Sequence, residues 1–482
     1  NAISEAVAET DEELMDKYFS GEQFTMLEMI RGIHKGVRDG SITPVFCGSA
    51  ANLEGLSLLG GAIVSMFPSA AEEIPEEGEM DGDVVEIPCN AEDPAVAYVF
   101  KTIADPFVGK LSYVKVVAGK LTADTELVNM TTGQPEKLGK LLYVRGKKQE
   151  EAKEVLAGDI CAVSKLGANT CDTLCAPSRK VELAKIEFPA PCYSMAVKPV
   201  GKGDEGKISQ GMSRLLEEDP TLSFVLNTET KEQVLSGLGE QHLDVTIAKL
   251  KNKFGVDVKL EKPTVAYRET IRKKVKVQGK HKKQSGGHGQ YGDVWIEFEP
   301  CDSEELVFAE NVFGGAVPRN FFPAVEKGLQ DCVKKGVLAG YPVVGLKATL
   351  VDGSYHPVDS SEMAFKTAAS LAYKAGLQEA SPIILEPIGS LKVQVPDDTT
   401  GDMMGELNKR RGRVLGMNSI GEGMTEIEAE APMSEMQDFA TLVRQMTQGS
   451  GSFTLEFSRY DPLPSNLEAA VIANSKRLTS EA

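Results

Sequence analysis

The chain has 482 residues, of which 41% are hydrophobic and 26% charged, as in a globular protein with a substantial buried core. This length is enough for roughly three to five domains. The net charge of −19 argues against a general nucleic-acid coat, because phosphate binding depends on lysine and arginine. The longest uncharged stretch, residues 55–71, is interrupted by glycine, serine and proline, so it predicts a short core helix rather than a membrane span.

Eight cysteines are scattered along the chain, without a C-x-x-C pair and without partnering histidines. This pattern predicts no metal site and indicates that most cysteines are buried free thiols in a reducing, cytoplasmic environment. No segment resembles a signal peptide, and the chain begins with Asn1 rather than Met. We therefore expect a processed or excised piece of a longer protein.

The first half of the chain predicts three different regions. Residues 1 to about 70 predict helices, then a strand at 42–47 and a further helix. Residues 72–86 carry acidic side chains and no basic one, and the proline and glycine among them predict a linker. From residue 84 to about 185, short strands separated by frequent turns predict a small β-barrel.

The second half predicts two copies of one architecture. Residues 189–263 have the order βαββαβ, which is the ferredoxin-like split arrangement, and the same order returns between residues 390 and 460. A third α/β unit lies between them. The predicted fold is therefore multidomain α+β, with domains at 1–75, 84–185, 189–263, 264–384 and 385–482, the last ending in a helix.

One segment of this acidic chain is strongly basic. Residues 271–284 contain seven basic side chains and no acidic one: Arg272, Lys273, Lys274, Lys276, Lys280, Lys282 and Lys283. A basic segment on an acidic body indicates a local, oriented contact with nucleic acid. The alternative is an edge strand that lysines protect from aggregation.

A glycine-rich segment follows directly. Residues 287–294 match G-x-G-x-x-G, but alternating apolar residues after it predict a strand, whereas a dinucleotide site needs a helix there. What remains is a hairpin tip whose bare backbone can approach RNA closely, or else a plain tight turn. No nucleophile, convergent acid pair or metal cluster is evident, so the sequence predicts no catalytic residues in this chain.

The octet YHPVDSSE at residues 355–362 predicts a stiff loop before a helix. Pro357 fixes its own φ and restricts His356 to extended geometry. Asp359 stands three residues before Glu362, the spacing of a capping box. The unpaired N–H groups of a helix start suit phosphate, while the alternative is a capped helix with a surface histidine.

The whole chain resembles translational elongation factor G, starting late in its G domain. Besides the octet, the resemblance includes ITPVFCGSA at 42–50, ADPFVGKL at 104–111, SGLGEQHL at 236–243, KPTVAYRET at 262–270, KQSGGHGQYG at 283–292 and MTQG at 446–449. These motifs are spread over nearly the full length.

The resemblance implies that residues 1–75 are the C-terminal remnant of a GTPase domain. Gly48, Ser49 and Ala50 would belong to the loop whose backbone recognises guanine. The P-loop, both switches and the N-K-x-D motif do not occur in this sequence. The chain alone is therefore expected neither to bind GTP tightly nor to hydrolyse it, whereas the full-length parent would use GTP and Mg²⁺.

The resemblance also implies that residues 264–384 form the elongated, tRNA-mimicking domain that enters the ribosomal decoding site. Its tip would consist of Ser285, Gly286, Gly287, His288, Gly289, Gln290, Tyr291, His356, Asp359 and Ser360. Arg444, Thr447 and Gln448 would contact large-subunit rRNA. The implied partners of this monomeric protein are the ribosome, through both subunits and rRNA, and the tRNA–mRNA complex, with ribosome recycling factor as a further candidate and no membrane.

Three positions depart from the family pattern: His288 stands where Arg is usual, Pro357 where Asp is frequent and Gln445 where Ser is frequent. The expected function is GTP-driven translocation, by a housekeeping factor or a paralogue. A ribosome-splitting factor, a ribosomal-protection GTPase and a ribosome-binding protein without GTPase activity are the alternatives. The Tyr355-His356 pair and residues 359–361 disfavour a protection protein.

Overall fold

A computed structural model describes residues 2–105, 109–201, 203–283 and 289–481. The described part of the chain folds into mixed helices and sheets, which confirms the predicted α+β class. Among the described residues, no helix is both long enough and apolar enough to cross a membrane.

The helices are, in chain order, α1 (Ala2–Ala8), α2 (Glu12–Phe19), α3 (Met26–Asp39), α4 (Leu56–Met66), α5 (Glu205–Glu218), α6 (Glu240–Phe254), α7 (Phe322–Cys332), α8 (Glu362–Glu379), α9 (Thr400–Lys409), α10 (Phe439–Met446) and α11 (Ser465–Glu481). The strands of the first half are β1 (Glu76–Met80), β2 (Asp83–Ile87), β3 (Val96–Asp105), β4 (Gly109–Ala118), β5 (Lys120–Thr122), β6 (Glu126–Asn129), β7 (Pro135–Lys137), β8 (Leu141–Arg145), β9 (Lys148–Ala152), β10 (Glu154–Leu156), β11 (Ile160–Ser164), β12 (Thr173–Cys175) and β13 (Glu182–Leu183).

The strands of the second half are β14 (Tyr193–Pro199), β15 (Ser223–Leu226), β16 (Gln233–Gly237), β17 (Val258–Glu261), β18 (Arg268–Ile271), β19 (Val275–Lys283), β20 (Gln290–Pro300), β21 (Val307–Glu310), β22 (Leu346–Ser354), β23 (Pro382–Pro396), β24 (Arg413–Gly421), β25 (Met424–Pro432) and β26 (Ser452–Pro462). The chain forms two compact units. The first runs to Phe188 and includes Glu205–Pro220 and Lys249–Val256, and the second holds the remaining residues.

The first unit contains the β-barrel. An eight-stranded sheet in the order β7-β6-β12-β3-β4-β11-β8-β9, together with the pair β10-β5, encloses one apolar core that includes Val99, Val114 and Leu174. Side chains alternate between this core and the surface along β3 and β4, since successive residues of a strand face opposite sides.

Two predictions for the first unit are wrong. Residues 42–47 form no strand, because no neighbouring strand among the described residues supplies hydrogen bonds to them; a single bridge joins Ser49 to Glu54 instead. The predicted acidic linker contains the hairpin β1-β2, which extends to β13. Its acidic side chains are mostly exposed, while Gly78 and Ile87 are buried against the neighbouring strand, so acidity here marks a solvent face rather than an unstructured segment.

The cysteines form no disulfide, but fewer of them are buried than expected. Three of the eight, Cys161, Cys171 and Cys175, are buried, and Cys47 is exposed. Burial, and secondarily the charge of Asp159, raises the pKa of Cys161 to about 12, so its thiol stays protonated at neutral pH.

In the second unit, two antiparallel sheets have the predicted ferredoxin-like strand order. The first is β15-β16-β14-β17, and the second is β24-β25-β23 with β26 on the other side of β23. In both, the first and third strands of the motif lie side by side at the centre, which is the split arrangement. Strand β18 extends the second sheet by pairing with the start of β23.

Between these sheets in the sequence, the sheet β19-β20-β22-β21 carries the candidate site. Its β19-β20 hairpin packs one face on α8, and α7 packs on α8 in turn. The core contains Phe298 and Phe365, and the ring of Phe365 stacks on Phe321 with the ring centroids 4.6 Å apart. Because β21 runs parallel to β22, the connection between them must cross over, and it does so through α7.

Candidate nucleic-acid interface

The β19-β20 hairpin ends at the glycine-rich segment that the sequence singles out. Of the predicted tip residues, Ser285, Gly286, Gly287 and His288 lie outside the described residues, while Gly289, Gln290 and Tyr291 are described. Gln290 begins β20 and is exposed, and its side-chain oxygen lies 2.9 Å from Nε2 of His281. The hairpin therefore includes Gln290 and Tyr291, two of the predicted tip residues.

The loop at residues 355–361 is tied to this end of the hairpin. The backbone N–H of Tyr291 donates to the carbonyl oxygen of Asp359 at 2.8 Å, and the Ser360 hydroxyl donates to the Tyr291 carbonyl oxygen at 3.0 Å. The backbone N–H of Gly289 donates to Asp359 Oδ1 at 3.0 Å. The structure thus brings together the described tip residues, which are 65 or more positions apart in the sequence.

Asp359 is not the helix cap that its spacing predicts. The N-cap of α8 is Ser361, whose hydroxyl accepts from the Ala364 backbone N–H at 3.3 Å. The carboxylate of Asp359 instead accepts from Gly289, and a Cβ at position 289 would lie 3.0 Å from its Cγ. The capping box fails because Asp359 serves a long-range contact, and the serine nearer the helix caps it.

Hydrogen bonds within the loop hold His356 in place while its ring stays accessible. Its Nδ1 accepts from the backbone N–H groups of Val358 at 3.3 Å and Asp359 at 3.1 Å, and its own backbone N–H donates to Ser360 Oγ at 2.8 Å. The side chain is 51% exposed. With Nδ1 occupied by these contacts, Nε2 is the ring nitrogen left to meet a partner, and an N–H there is a donor of the kind that phosphate and 2′-hydroxyl oxygens accept.

A polar network around the buried Asp293 carboxylate fixes the Tyr291 ring beside this loop. The Tyr291 hydroxyl lies 2.8 Å from Ser354 Oγ, which donates to Asp293 Oδ2 at 2.7 Å. Gln278 Nε2 donates to Asp293 Oδ1 at 2.8 Å, so both oxygens of this 5%-exposed carboxylate are satisfied. Sequence reasoning missed this network, although an acidic residue within an alternating strand pattern is a usable signal.

Two glycines let α8 lie directly on the hairpin. A Cβ at Gly279 would be 2.1 Å from the carbonyl oxygen of Ala368, and one at Gly292 would be 2.5 Å from that of Ala364. Glycine inside a strand often marks such a close approach, so these positions could have been predicted from the sequence. The approach places the start of α8, and with it the His356 loop, against the end of the hairpin.

The second predicted site is built differently. Arg444 Nη2 donates to the carbonyl oxygen of Leu238 at 2.8 Å. Thr447 is 4% exposed, and its hydroxyl donates to the Val443 carbonyl oxygen and accepts from Gly451 N–H, both at 2.8 Å. Gln448 follows with φ +52°. Arg444 lies in the last turn of α10, and Thr447 and Gln448 form a tight turn after it. Among the described residues no contact joins them to the His356 loop, and their role in rRNA contact stays a prediction.

The three residues of the implied guanine loop form a closed turn. Ser49 N–H donates to the Glu54 carbonyl oxygen and accepts the reverse bond through its own carbonyl oxygen, both at 3.1 Å. A Cβ at Gly48 would lie 2.8 Å from the same Glu54 oxygen. The residues present do not fit a whole nucleotide, because the Ser49 amide is already engaged and the sequence contains no phosphate-binding loop. Among the described residues, no group of three or more His, Cys, Asp or Glu side chains could hold a metal ion.

Comparison with known proteins agrees with this architecture. Family models described as Elongation factor G domain 2, Elongation Factor G domain III, Elongation factor G domain IV and Elongation factor G C-terminus match residues 94–176, 188–262, 263–381 and 383–471.

Two individual proteins are similar over nearly the whole chain. An "Elongation factor G-like protein" of Thermotoga maritima is 43% identical over 483 aligned residues, which cover 99% of this chain and 71% of that protein. A crystal structure of a protein from Thermus thermophilus has a TM-score of 0.71 at 38% identity and covers 98% of this chain and 69% of that one. The predicted resemblance is confirmed: the chain belongs to the elongation factor G family of translation elongation factors.

Proposed function

We propose that the protein promotes GTP-dependent translocation of tRNA and mRNA on the ribosome, and that the hairpin end and the His356 loop together contact RNA. The observation that carries this proposal is that hydrogen bonds hold the His356 loop against the end of the hairpin. Asp359 and Ser360 bind the backbone of Gly289 and Tyr291, while the His356 side chain stays 51% exposed. A fixed backbone with an accessible donor suits recognition of RNA by shape and phosphate position rather than by base identity.

The exposed side chains of the loop support a contact role. Tyr355 is 47% exposed and Val358 is 64% exposed, although both are large and apolar in part. Since the loop backbone is secured by hydrogen bonds, little conformational entropy would be lost when these side chains meet a partner.

The nucleotide would be bound by a GTPase domain that joins residues 1–75 in the full-length protein. Large apolar side chains support such a neighbour, because Val45, Leu58 and Val64 are 85%, 78% and 86% exposed. In this proposal GTP and Mg²⁺ belong to that domain, and the present chain contributes the ribosome- and tRNA-contacting domains. The protein would then act in the cytoplasm, on both ribosomal subunits and their rRNA.

Replacing His356 by alanine in the full-length protein tests the proposal. We expect translocation to slow about tenfold or more, because one hydrogen bond to a charged phosphate contributes about 1.5–3 kcal/mol. Ribosome-stimulated GTP turnover should change little, since nucleotide chemistry takes place elsewhere. Rapid-kinetics measurement of mRNA movement checks the first expectation and phosphate release from GTP checks the second, with Lys147→Ala in the exposed β8-β9 turn as the control. Unchanged translocation in the His356 variant would contradict the role.

Ribosome splitting with a recycling factor uses the same domains and is the competing function. Pro357, which stands where the family frequently has Asp, leaves the tip without one acidic side chain. Splitting and translocation assays run in parallel on the unmodified full-length protein separate the two functions. Rapid splitting without translocation would overturn the proposed step but not the RNA contact.

A further inference from the structure

The β19-β20 hairpin has a second face, which points away from α8. The register pairs Lys276 with Glu297, Gln278 with Trp295, Lys280 with Asp293 and Lys282 with Tyr291, so these side chains share one face. Val277, Val294, Ile296 and Phe298 alternate with them and belong to the core beneath. We call the half of this face around Lys276, Lys280, Lys282, Tyr291 and Trp295 the outer patch.

The outer patch carries positive charge in a strongly acidic chain. Lys276, Lys280 and Lys282 are exposed, and among the described residues none of the three has a carboxylate within ion-pair distance. Alternate residues of a strand are about 6.8 Å apart, so Lys280 and Lys282 are spaced similarly to neighbouring phosphates of a nucleic-acid strand.

The acids of this face do not cancel that charge. Glu297 binds Lys274 at 2.8 Å, nearer the other end of the hairpin. Asp293 is buried, with Gln278 and Ser354 on its two oxygens. Asp352, opposite Trp295 on β22, is exposed, and its Oδ1 accepts from the adjacent Gly353 N–H. The acids beside the three exposed lysines are therefore the exposed Asp352 and the half-buried Glu297, which lies opposite Lys276 but binds Lys274.

Two aromatic rings lie among these lysines. The Lys276 ammonium is 5.9 Å from the centroid of the Trp295 ring, and that of Lys280 is 5.7 Å from the centroid of the Tyr291 ring. Trp295 is half-buried but does not belong to the core cluster of this domain. An indole on the solvent side of a sheet, beside cations, is the combination on which the bases of single-stranded nucleic acids stack.

We propose that the outer patch binds a single-stranded RNA segment, with phosphates on Lys276, Lys280 and Lys282 and a base on Trp295. This inference extends the proposed function, since it adds a lateral RNA surface to the tip contact. The patch differs from the tip in its chemistry, because it combines lysine charge with aromatic stacking, whereas the tip presents an imidazole and backbone groups. Sequence-tolerant binding with strong salt dependence follows from that chemistry.

The experiment exploits the fact that Trp295 is the only tryptophan of the chain. Its fluorescence is followed while the 482-residue chain is titrated with short single-stranded RNA at low salt, and binding is measured independently by anisotropy of labelled RNA. We expect RNA to quench the fluorescence of Trp295. For three phosphate contacts, the plot of log K against log salt concentration should have a slope of about −2. Trp295→Ala should reduce RNA affinity by about 5- to 150-fold.

Matched charge variants complete the test. Lys276→Gln with Lys280→Gln should reduce the magnitude of the salt slope by about 1.4, because each phosphate contact contributes about 0.7. Lys147→Gln with Lys148→Gln, exposed in and beside the β8-β9 turn, removes equal charge elsewhere and should leave both slope and quenching unchanged. Equal effects of the two pairs would overturn the proposal, as would RNA binding without a change in Trp295 fluorescence.

A titration with an acidic peptide distinguishes RNA from an acidic protein partner. If oligoglutamate of matched charge quenches Trp295 as strongly as RNA does, the patch recognises acidic protein and the RNA proposal is wrong. If the chain binds no RNA but His356→Ala slows translocation by the full-length protein, RNA binding by the outer patch is wrong and the proposed function stands. If the chain binds RNA as expected but His356→Ala leaves translocation unchanged, the outer patch stands and the role of the tip is wrong.

Discussion

Glu269→Gln should lower the free energy of unfolding of the second unit by about 3–5 kcal/mol. Glu269 is 1% exposed. Its Oε2 accepts from Leu338 N–H at 2.9 Å, and its Oε1 accepts from the N–H groups of Ala339, Gly340 and Tyr341 at 2.8, 2.9 and 3.2 Å. Four backbone donors thus converge on one carboxylate.

Glutamine keeps the shape but cannot replace this acceptor. One carboxylate oxygen becomes an NH₂ group, which faces backbone donors instead of accepting from them, and the full negative charge is lost. Buried N–H groups left without an acceptor each cost about 1–3 kcal/mol. The turn at residues 336–341 should therefore loosen first, since Glu269 also fills the space beside Gly336, where a Cβ would lie 2.2 Å from the carboxylate.

Urea unfolding and native-state hydrogen exchange measure this effect. The amides of residues 338–341 should lose protection in Glu269→Gln. The control is Glu305→Gln at an exposed carboxylate of the same domain, for which a change within about 0.5 kcal/mol is expected. Equal stability of the two variants would show that the four bonds contribute nothing beyond ordinary solvation.

Gly279→Ala should lower the free energy of unfolding by about 3 kcal/mol. Overpacking of a tight contact typically costs about 1–3 kcal/mol, and backbone atoms move less readily than side chains to relieve it. The added Cβ would meet the Ala368 carbonyl oxygen at 2.1 Å and the Ala372 backbone nitrogen at 2.6 Å. Either α8 or the hairpin must move, and the His356 loop moves with α8. We therefore expect slower translocation in the full-length variant as well as lower stability.

Gly416→Ala is the matched control for this substitution. Gly416 also lies in a strand, β24, but a Cβ there would meet nothing within 4 Å. Its replacement should be neutral or slightly stabilising, because alanine loses less backbone entropy than glycine on folding. Thermal unfolding of both variants checks the difference, and a similar change in Tm for the two would contradict the close contact between α8 and β19.

The sequence predicts the ferredoxin-like sheets well because their information is local. Helix α5, for example, buries Ile208, Gly211, Met212 and Leu215, which recur at helical spacing. The strand expected at 42–47 fails for the opposite reason, because a strand needs a pairing partner, and periodicity does not report whether one is present. The acidic hairpin β1-β2 does not follow from the sequence, because residues 72–86, acidic and interrupted by proline and glycine, have the composition of an unstructured linker.

The sequence predicts which residues belong to the candidate site, but not the hydrogen bonds that connect them. Residue types alone indicate the octet and the glycine-rich segment, but the spacing of Asp359 predicts a helix cap, whereas its partner is Gly289, 70 positions away in sequence. Glu269 and its four amide donors lie 69–72 positions apart and were not anticipated. Long-range hydrogen bonds of this kind follow from the tertiary fold, which local sequence patterns do not encode.

The central claim, that the end of the hairpin and the His356 loop meet RNA during translocation, is tested most directly by photo-crosslinking from Val358. This side chain is 64% exposed and lies two residues after His356. With p-benzoylphenylalanine in its place, the full-length protein is bound to translating ribosomes and irradiated. We predict crosslinks to tRNA or to small-subunit rRNA of the decoding site. Crosslinks to ribosomal proteins alone, with normal binding and translocation, would contradict the account.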